Sequence, residues 1–362
     1  MEFGAMLLLS RPQGRSQADV YRQALEQIEH AEALGFDAVW LAEHHFSPYG
    51  QCPSTLTMAA HVAARTRRVR IGTAVIILPF WNPVLVAEEA ALVDQLSDGR
   101  LDLGIGRGYQ WHEFQGFNLS MEESRTRFLE SVDIIRKAFV EDRFDYQGEH
   151  YRFRDLSVDP KPLQQPHPPI WVAGVSPQTI AWIAENGFYR LSAATKTLEQ
   201  LKRDDALFQD ALRKAGRPPP DKNPLLRIVH VGEDEHSCRA DMEEPIRWFF
   251  AMQERIVRPP QWDDLPDQYA YYRRAFSKLG NIDYDFATRH QMLVGSAEDV
   301  TRRLIDLHDG LGFNHLMCQF ALGMLSHEKT MQSMERFARD VMPVLRQRHA
   351  QTREADATNA AS

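Results

Sequence analysis

Eight times along this chain a short apolar run is followed by a helix-like stretch, and that alternation constrains the fold more than any other feature. FGAMLLL (3–9) precedes an amphipathic stretch at 17–35, DAVWLAE (37–43) precedes 54–67, and VRIGTAVIIL (69–78) precedes 83–97, which has Pro83 at its start and Gly99 beyond its end. RLDLGIG (100–106) precedes a long helix over 121–141, and PPIWVAG (168–174) a helix at 177–186. A short strand near 188–193 leads to a helix at 197–215. LLRIVHVG (225–232) is followed, after a longer irregular region, by a helix at 298–311; NHLMCQF (314–320) and a helix at 327–348 close the pattern.

Strands separated by helical crossovers are parallel. Eight such units closing on themselves predict a (β/α)8 TIM barrel over 1–348, with 349–362 as a disordered tail. The fold normally takes about 250 residues. The surplus lies in an insertion after strand four (107–120), a hairpin-like alternation before strand five (143–169) and an insertion after strand seven (246–292). Two consecutive Rossmann-like domains are the rival, but no linker divides the chain into halves.

Composition narrows the partners. The net charge is −8, with acids and bases mixed, which argues against a nucleic-acid binder. Cys52, Cys238 and Cys318 lie too far apart for a disulfide framework or a zinc motif and fit a reducing, cytoplasmic setting. The N-terminal stretch lacks the features of a signal peptide, and no run approaches the roughly 20 apolar residues of a membrane helix. A soluble protein is expected.

In a barrel of this kind the carboxyl ends of the strands build the site. The second strand runs through AVWLAEHHF (38–46) onto an acid and two imidazoles. Side-chain alternation puts Val39 and Leu41 toward the helices and Trp40, Ala42 and His44 toward the interior. His44, rather than His45, then looks into the mouth; a histidine bonded to nearby backbone is the ordinary alternative. Adjacent histidines on a strand point apart, and no HExxH or cysteine cluster is present, so no metal is expected.

Gly104, Gly106 and Gly108 in LGIGRGYQWHEF (103–114) space as GxGxG with no helix directly behind them, which fails the Rossmann fingerprint. They suit close approach of a bulky ligand to the backbone. Arg107, just past the strand end, can pair with phosphate or sit in a surface ion pair. In VAGVSPQT (172–179), Ser176 and Pro177 read as an N-cap and first helical residue. A helix start beside a glycine offers a phosphate seat, unless it is capping alone. Strands four and five are neighbours in a barrel, so Arg107 and this helix converge.

WLAEHHF (40–46), IGTAVIILPFWNPVLVAEE (71–89), DQLSDGRLDLGIGRG (94–108), IWVAGVS (170–176) and MERFARDVMPVL (334–345) together resemble the bacterial luciferase-like flavin monooxygenase family, its luciferase α subunits above all. The resemblance implies a barrel that takes reduced FMN from a separate flavin reductase. It also implies reaction with O2 to a C4a-hydroperoxide that oxidises a second, small and apolar organic substrate. His44 matches the family's catalytic histidine, and Arg107, Ser176 and Thr179 match positions that hold the flavin phosphate. Glu43 belongs to the same motif, and Ala74 and Val75 fall where the family can carry a non-proline cis peptide beside the flavin. Gly106, Gly108, Tyr109, Ala173, Gly174 and Val175 complete the implied flavin-binding set. Trp40, Ile76, Leu78, Phe80, Trp81 and Tyr109 are further candidates for the wall, with ordinary core as the alternative for most of them and the favoured one for Ile76. Pairing through the second and third helices, as a homodimer or heterodimer, is also implied.

Two departures stand out. Gly106 occupies the place of a reactive cysteine of the luciferase α subunit, and 246–292 differs from the luciferase lid. Neither light emission nor long-chain aldehyde use is therefore implied. A deazaflavin (F420)-dependent oxidoreductase and a non-catalytic flavin-binding partner subunit are the alternative readings.

Overall fold

A strand buried on both faces needs one row of side chains for the helices and another for the interior, and the strands here supply both. The computed structural model describes residues 1–261, 264–272, 279 and 282–360, with side chains described as far as 352. The first units are β1 (Glu2–Leu7), α1 (Gln17–Ala33), β2 (Ala38–Leu41), α2 (Thr55–Arg65) and β3 (Arg70–Thr73). The run expected as one strand over 69–78 is divided. β3 stops at Thr73, the Ala74–Val75 peptide is cis, and β4 (Ile76–Ile77) resumes before α3 (Pro83–Leu96).

Next come β5 (Leu101–Gly106), α4 (Trp111–Gly116), α5 (Ser124–Val140), the antiparallel pair β6 (Phe144–Gln147) and β7 (Arg152–Leu156), and β8 (Ile170–Ala173). α6 (Pro177–Asn186), β9 (Tyr189–Leu191), α7 (Leu198–Lys214) and β10 (Pro224–Val231) follow. Beyond them lie α8 (Glu235–Val257), α9 (Tyr284–His290), β11 (Leu293–Gly295), α10 (Ala297–Leu311), β12 (His315–Gln319), α11 (His327–Arg336) and α12 (Met342–Ala360). Part of the expected insertion 246–292 lies outside the described residues. Ser16, Ser54, Asn82, Ser176, Thr197, Asp234, Ser296 and Ser326 each cap a helix by accepting a first-turn backbone N–H, so the helix starts are written in the sequence.

The parallel sheet curls. Its neighbour order is β11-β10-β12-β1-β2-β3-β5-β8-β9, with β4 also on β5, so the strands nearest the two chain ends, β1 and β12, are hydrogen-bonded partners. The ladder does not continue from β9 to β10. β9 has three residues, too few for an extended ladder, and the loop beyond it reaches β10 through Arg227 Nη1, which donates to the Ala194 carbonyl at 3.2 Å.

Phe3, Ala5, Leu7, Val39, Leu41, Leu103 and Ile105 join the layer between sheet and helices, while Met6, Leu8, Ala42 and Met317 face inward with Trp40 and Trp171. The two indoles fill the interior edge to face, with ring centroids 4.9 Å apart. Trp40 fits because its flanking strands carry Gly4 and Gly72, where a Cβ would strike the indole. Two residues further along the same strand faces stand Ala42 and Ala173, so the filling stops there and space opens.

The last helix crosses the boundary expected at 348, since α12 runs to Ala360. No Gly or Pro interrupts 349–360, and extending an existing helix avoids the nucleation cost. This replaces the expected tail with helical backbone over those residues; 361–362 lie outside the described ones.

Gly104 supplies a test of strand spacing. Its backbone N–H donates to Thr73 Oγ1 at 2.8 Å, the same hydroxyl donates to its carbonyl at 2.7 Å, and a Cβ would overlap the Thr73 carbonyl. Gly104→Ala should lower unfolding stability by about 2–3 kcal/mol, measured by urea denaturation. A loss within about 0.5 kcal/mol, as for an unconstrained surface position, would contradict this packing.

Candidate active site

The carboxyl ends of β1, β2, β5, β8, β9 and β12, with Leu226 of β10, open on one cavity. Counting its mouth, it holds about 1590 Å3 of empty space. Glu43, His44, Ala74, Val75, Gly106, Arg107, Gly108, Tyr109, Ala173, Gly174, Val175, Ser176 and Thr179, the set expected from the sequence, all lie on its wall. Of the additional aromatic and aliphatic candidates, only Tyr109 does. Trp40 fills the interior below; Ile77, not Ile76, faces the cavity, and Ile76 and Leu78 pack toward the helices.

The acid and imidazoles beyond β2 divide into two pairs. Glu43, 2% exposed, accepts from Trp81 Nε1 at 3.0 Å and from the Ile77 backbone N–H at 3.3 Å, and its carboxylate lies 3.1 Å from His45 Nε2. Burial raises its pKa above the ordinary carboxylate value, against the pull of these donors. His45 thus turns away from the mouth. His44 does face the cavity, with Nδ1 3.1 Å from Glu113 Oε1 and 3.1 Å from Gln110 Nε2. Its Nε2 meets no protein partner among the described residues. The Tyr49 ring packs edge-on against the imidazole, with centroids 5.0 Å apart.

Along the cavity run two linked phenols. Tyr109 is hydrogen-bonded to Tyr49, and Gln253 Nε2 donates to Tyr49 Oη at 3.0 Å. Burial pushes Tyr49 up to about 12 and Tyr109 well above the ordinary phenol value, so both stay neutral.

A cationic wall lies at β5, α5 and α6. Arg107 and Arg125 both border the cavity, as do Ser176 and Thr179 at the start of α6. Ser176 Oγ accepts the Thr179 backbone N–H at 3.3 Å, the N-cap read from the sequence. Arg125 has no hydrogen bond, ion pair or ring contact among the described residues. Sequence reading missed it because a first-turn arginine on a helix is usually a solvated one. Among the described residues Arg107 is in no ion pair: it donates to Gln268 Oε1 at 3.0 Å and lies 4.5 Å over the Tyr269 ring.

Those last two residues belong to the segment after α8, whose Tyr272 borders the cavity. Gln268 Nε2 donates to the carbonyls of Met121 and Glu122, both at 2.9 Å. The buried Tyr269 hydroxyl donates to Ser124 Oγ at 2.8 Å, and Tyr272 stacks on Tyr109 at 5.5 Å with rings 5° from parallel. Away from the cavity, Glu130, Glu149 and His150 bring three metal-capable groups together. Glu130, however, already accepts the backbone N–H groups of Glu149, His150 and Tyr151, which ties down the β6–β7 turn.

Residues 1–315 match the family described as luciferase-like monooxygenase. The oxygenase component of the flavin-dependent trigonelline monooxygenase of Acinetobacter baylyi is 27% identical over 353 residues, covering 94% of this chain and 94% of the relative. The crystal structure of monooxygenase RslO1 from Streptomyces bottropensis superposes with a TM-score of 0.82 at 28% identity, covering 95% of this chain and 100% of that one. The oxygenating constituent of 3,6-diketocamphane monooxygenase from Pseudomonas putida, a type II Baeyer–Villiger monooxygenase in complex with FMN, shares the fold. Its TM-score is 0.77 at 20% identity, covering 95% of this chain and 98% of that one. Among the described residues no helix is long and apolar enough to cross a membrane.

Removing the Tyr269 hydroxyl tests how this segment is held. Tyr269→Phe should speed amide hydrogen exchange across 264–272 by about ten-fold, the equivalent of one buried hydrogen bond, with the global melting temperature nearly unchanged. Exchange identical to the unmodified chain would mean that this hydroxyl does not hold the segment.

Proposed function

The chain belongs to the luciferase-like monooxygenase family, and from that premise we propose that it is the FMN-using oxygenase component of a two-component monooxygenase acting on a small, largely apolar organic substrate. One observation carries this reading. A single cavity has two guanidiniums and a helix start on its β5–β8 side, and a free imidazole nitrogen beside a wall of Met6, Leu8, Leu226, Phe249 and Met317.

Reduced FMN suits these residues. Arg125 lacks any partner among the described residues, and the buried Ser192 Oγ on the same wall also lacks one. Gly106 leaves open a place where a Cβ would press on Val75. Arg107, Arg125, Ser176 and Thr179 would hold the phosphate, and Ala74, Val75 and Gly106 would back the ring system. When bound, the reduced flavin supplies the electrons that activate O2.

The protein's own share is positioning, dryness and one proton. His44 holds or releases a proton at Nε2, facing the reacting groups. The apolar wall and the segment 264–272 keep water away from them. Among the described residues the cavity wall carries no Lys or Arg besides Arg107 and Arg125, which favours an uncharged second substrate. In this reading the curled sheet works as a (β/α)8 barrel with its site at the carboxyl mouth. A separate reductase supplies the flavin, and a second subunit pairs across α2 and α3, where Leu85, Leu92 and Leu96 are exposed.

The purified protein, titrated with reduced FMN and with reduced deazaflavin, should bind the former stoichiometrically and consume oxygen above the free-flavin background when an apolar substrate panel is present. Preference for deazaflavin, or binding without oxygen consumption, would overturn the proposal. His44→Ala should lower substrate oxidation by about 100-fold with flavin binding intact. Arg125→Ala should weaken FMN about ten-fold and leave riboflavin, which lacks the phosphate, unaffected in a fluorescence titration.

A further inference from the structure

We infer that Glu113 is a positioning residue that holds the neutral His44 ring with its proton on Nδ1, so that Nε2 faces the cavity as a bare acceptor. The inference rests on reading His44 as the proton-handling group. It concerns a residue on α4, in the insertion after β5, that reaches a histidine beyond β2.

Glu113 is 0% exposed. Its Oε1 accepts the His45 backbone N–H at 3.0 Å and lies 3.1 Å from His44 Nδ1, while Oε2 is buried without a partner. Among the described residues no lysine or arginine bonds it. A carboxylate this deep persists only beside donors. A bare Nδ1 would turn a lone pair on it and leave one backbone N–H as its sole donor. A proton on Nδ1 supplies the second donor.

Gln110 is the competing neighbour: its Nε2 lies 3.1 Å from the same Nδ1 and donates to Tyr109 Oη at 3.4 Å. A protonated Nδ1 cannot accept from an amide N–H, so with the proton there the amide turns its oxygen end, which has the same shape, to the ring. Tyr49 packs on the imidazole, and Gly50 leaves no room beyond its backbone, since a Cβ there would come within 2.9 Å of His44 Cβ. The ring is therefore held on several sides, and Nε2 is left open.

The proton balance is simple. An O–H on the cavity side gives its proton to Nε2 and keeps the bonding pair as an oxyanion. The ring becomes an imidazolium already paired with Glu113, and the reverse transfer restores it. His45, tied to Glu43, and the neutral phenols of Tyr49 and Tyr109 do not compete for the proton at Nε2.

Nitrogen NMR on histidine-labelled protein without flavin tests this directly. On the neutral ring at alkaline pH, His44 should carry its proton on Nδ1. Glu113→Gln exchanges an acceptor for a donor of the same shape, and should move the proton to Nε2 and cut substrate oxidation about 10–100-fold. Glu113→Asp should restore the Nδ1 proton and much of the rate, which a purely structural tie to the His45 backbone would not require. An Nε2 proton in the unmodified chain, or a tautomer unmoved by Glu113→Gln, overturns the inference; if that variant does not fold, the tautomer of the unmodified chain decides. Because the spectra need no flavin, this outcome is separate from a failure to consume oxygen with reduced FMN.

Discussion

A parallel sheet delivers the carboxyl ends of all its strands to one rim, and the cavity follows from that constraint together with what fills the sheet's inner face. Trp40 and Trp171 occupy the interior below the rim. Two residues further on, on the same faces, stand Ala42 and Ala173, joined on the cavity wall by Ala74, Gly106, Gly174, Ala193 and Ala194. A close-packed layer of large rings gives way to a ring of small residues, so the space begins at a defined height. The glycines at 4 and 72 serve the lower layer, because only they leave room for the Trp40 indole between its neighbouring strands.

Polar groups at that boundary are buried, and each needs a partner. Glu43 and Glu113 meet the requirement differently. Glu43 is bound to Trp81, Ile77 and His45 and so fastens the β2 end to the segment after β3. Glu113 arrives from an insertion and takes the other histidine. One dipeptide thus carries a structural imidazole and a cavity-facing one, sorted by which carboxylate each meets.

The segment following α8 adds a competition. Arg107 is engaged by Gln268 and Tyr269, whereas Arg125 has no partner among the described residues. An anionic ligand reaching both cations must displace the Gln268 contact or share Arg107 with it.

Local rules explain why so much was legible in the sequence. Alternation of apolar runs and helices set the order of the units, N-cap residues set the helix starts, and period-two alternation put Trp40, Ala42 and His44 on one face. Ile76 packs in the core, the reading favoured for it, while its neighbour Ile77 faces the cavity. Where the closing helix ends was misjudged: α12 continues to Ala360 because nothing in 349–360 stops a helix already begun.

What the sequence determined by itself was the parallel architecture and the positions at strand ends, since both follow from periodicities of two and 3.6 residues. Only the tertiary structure decided that Glu113 would meet His44, that Arg125 would join Arg107, that Gln268 would bind Arg107 and that Tyr272 would stack on Tyr109. Those partners lie 69, 18, 161 and 163 residues apart along the chain, as their numbers give. No local propensity encodes such distances; the burial of one element against another does.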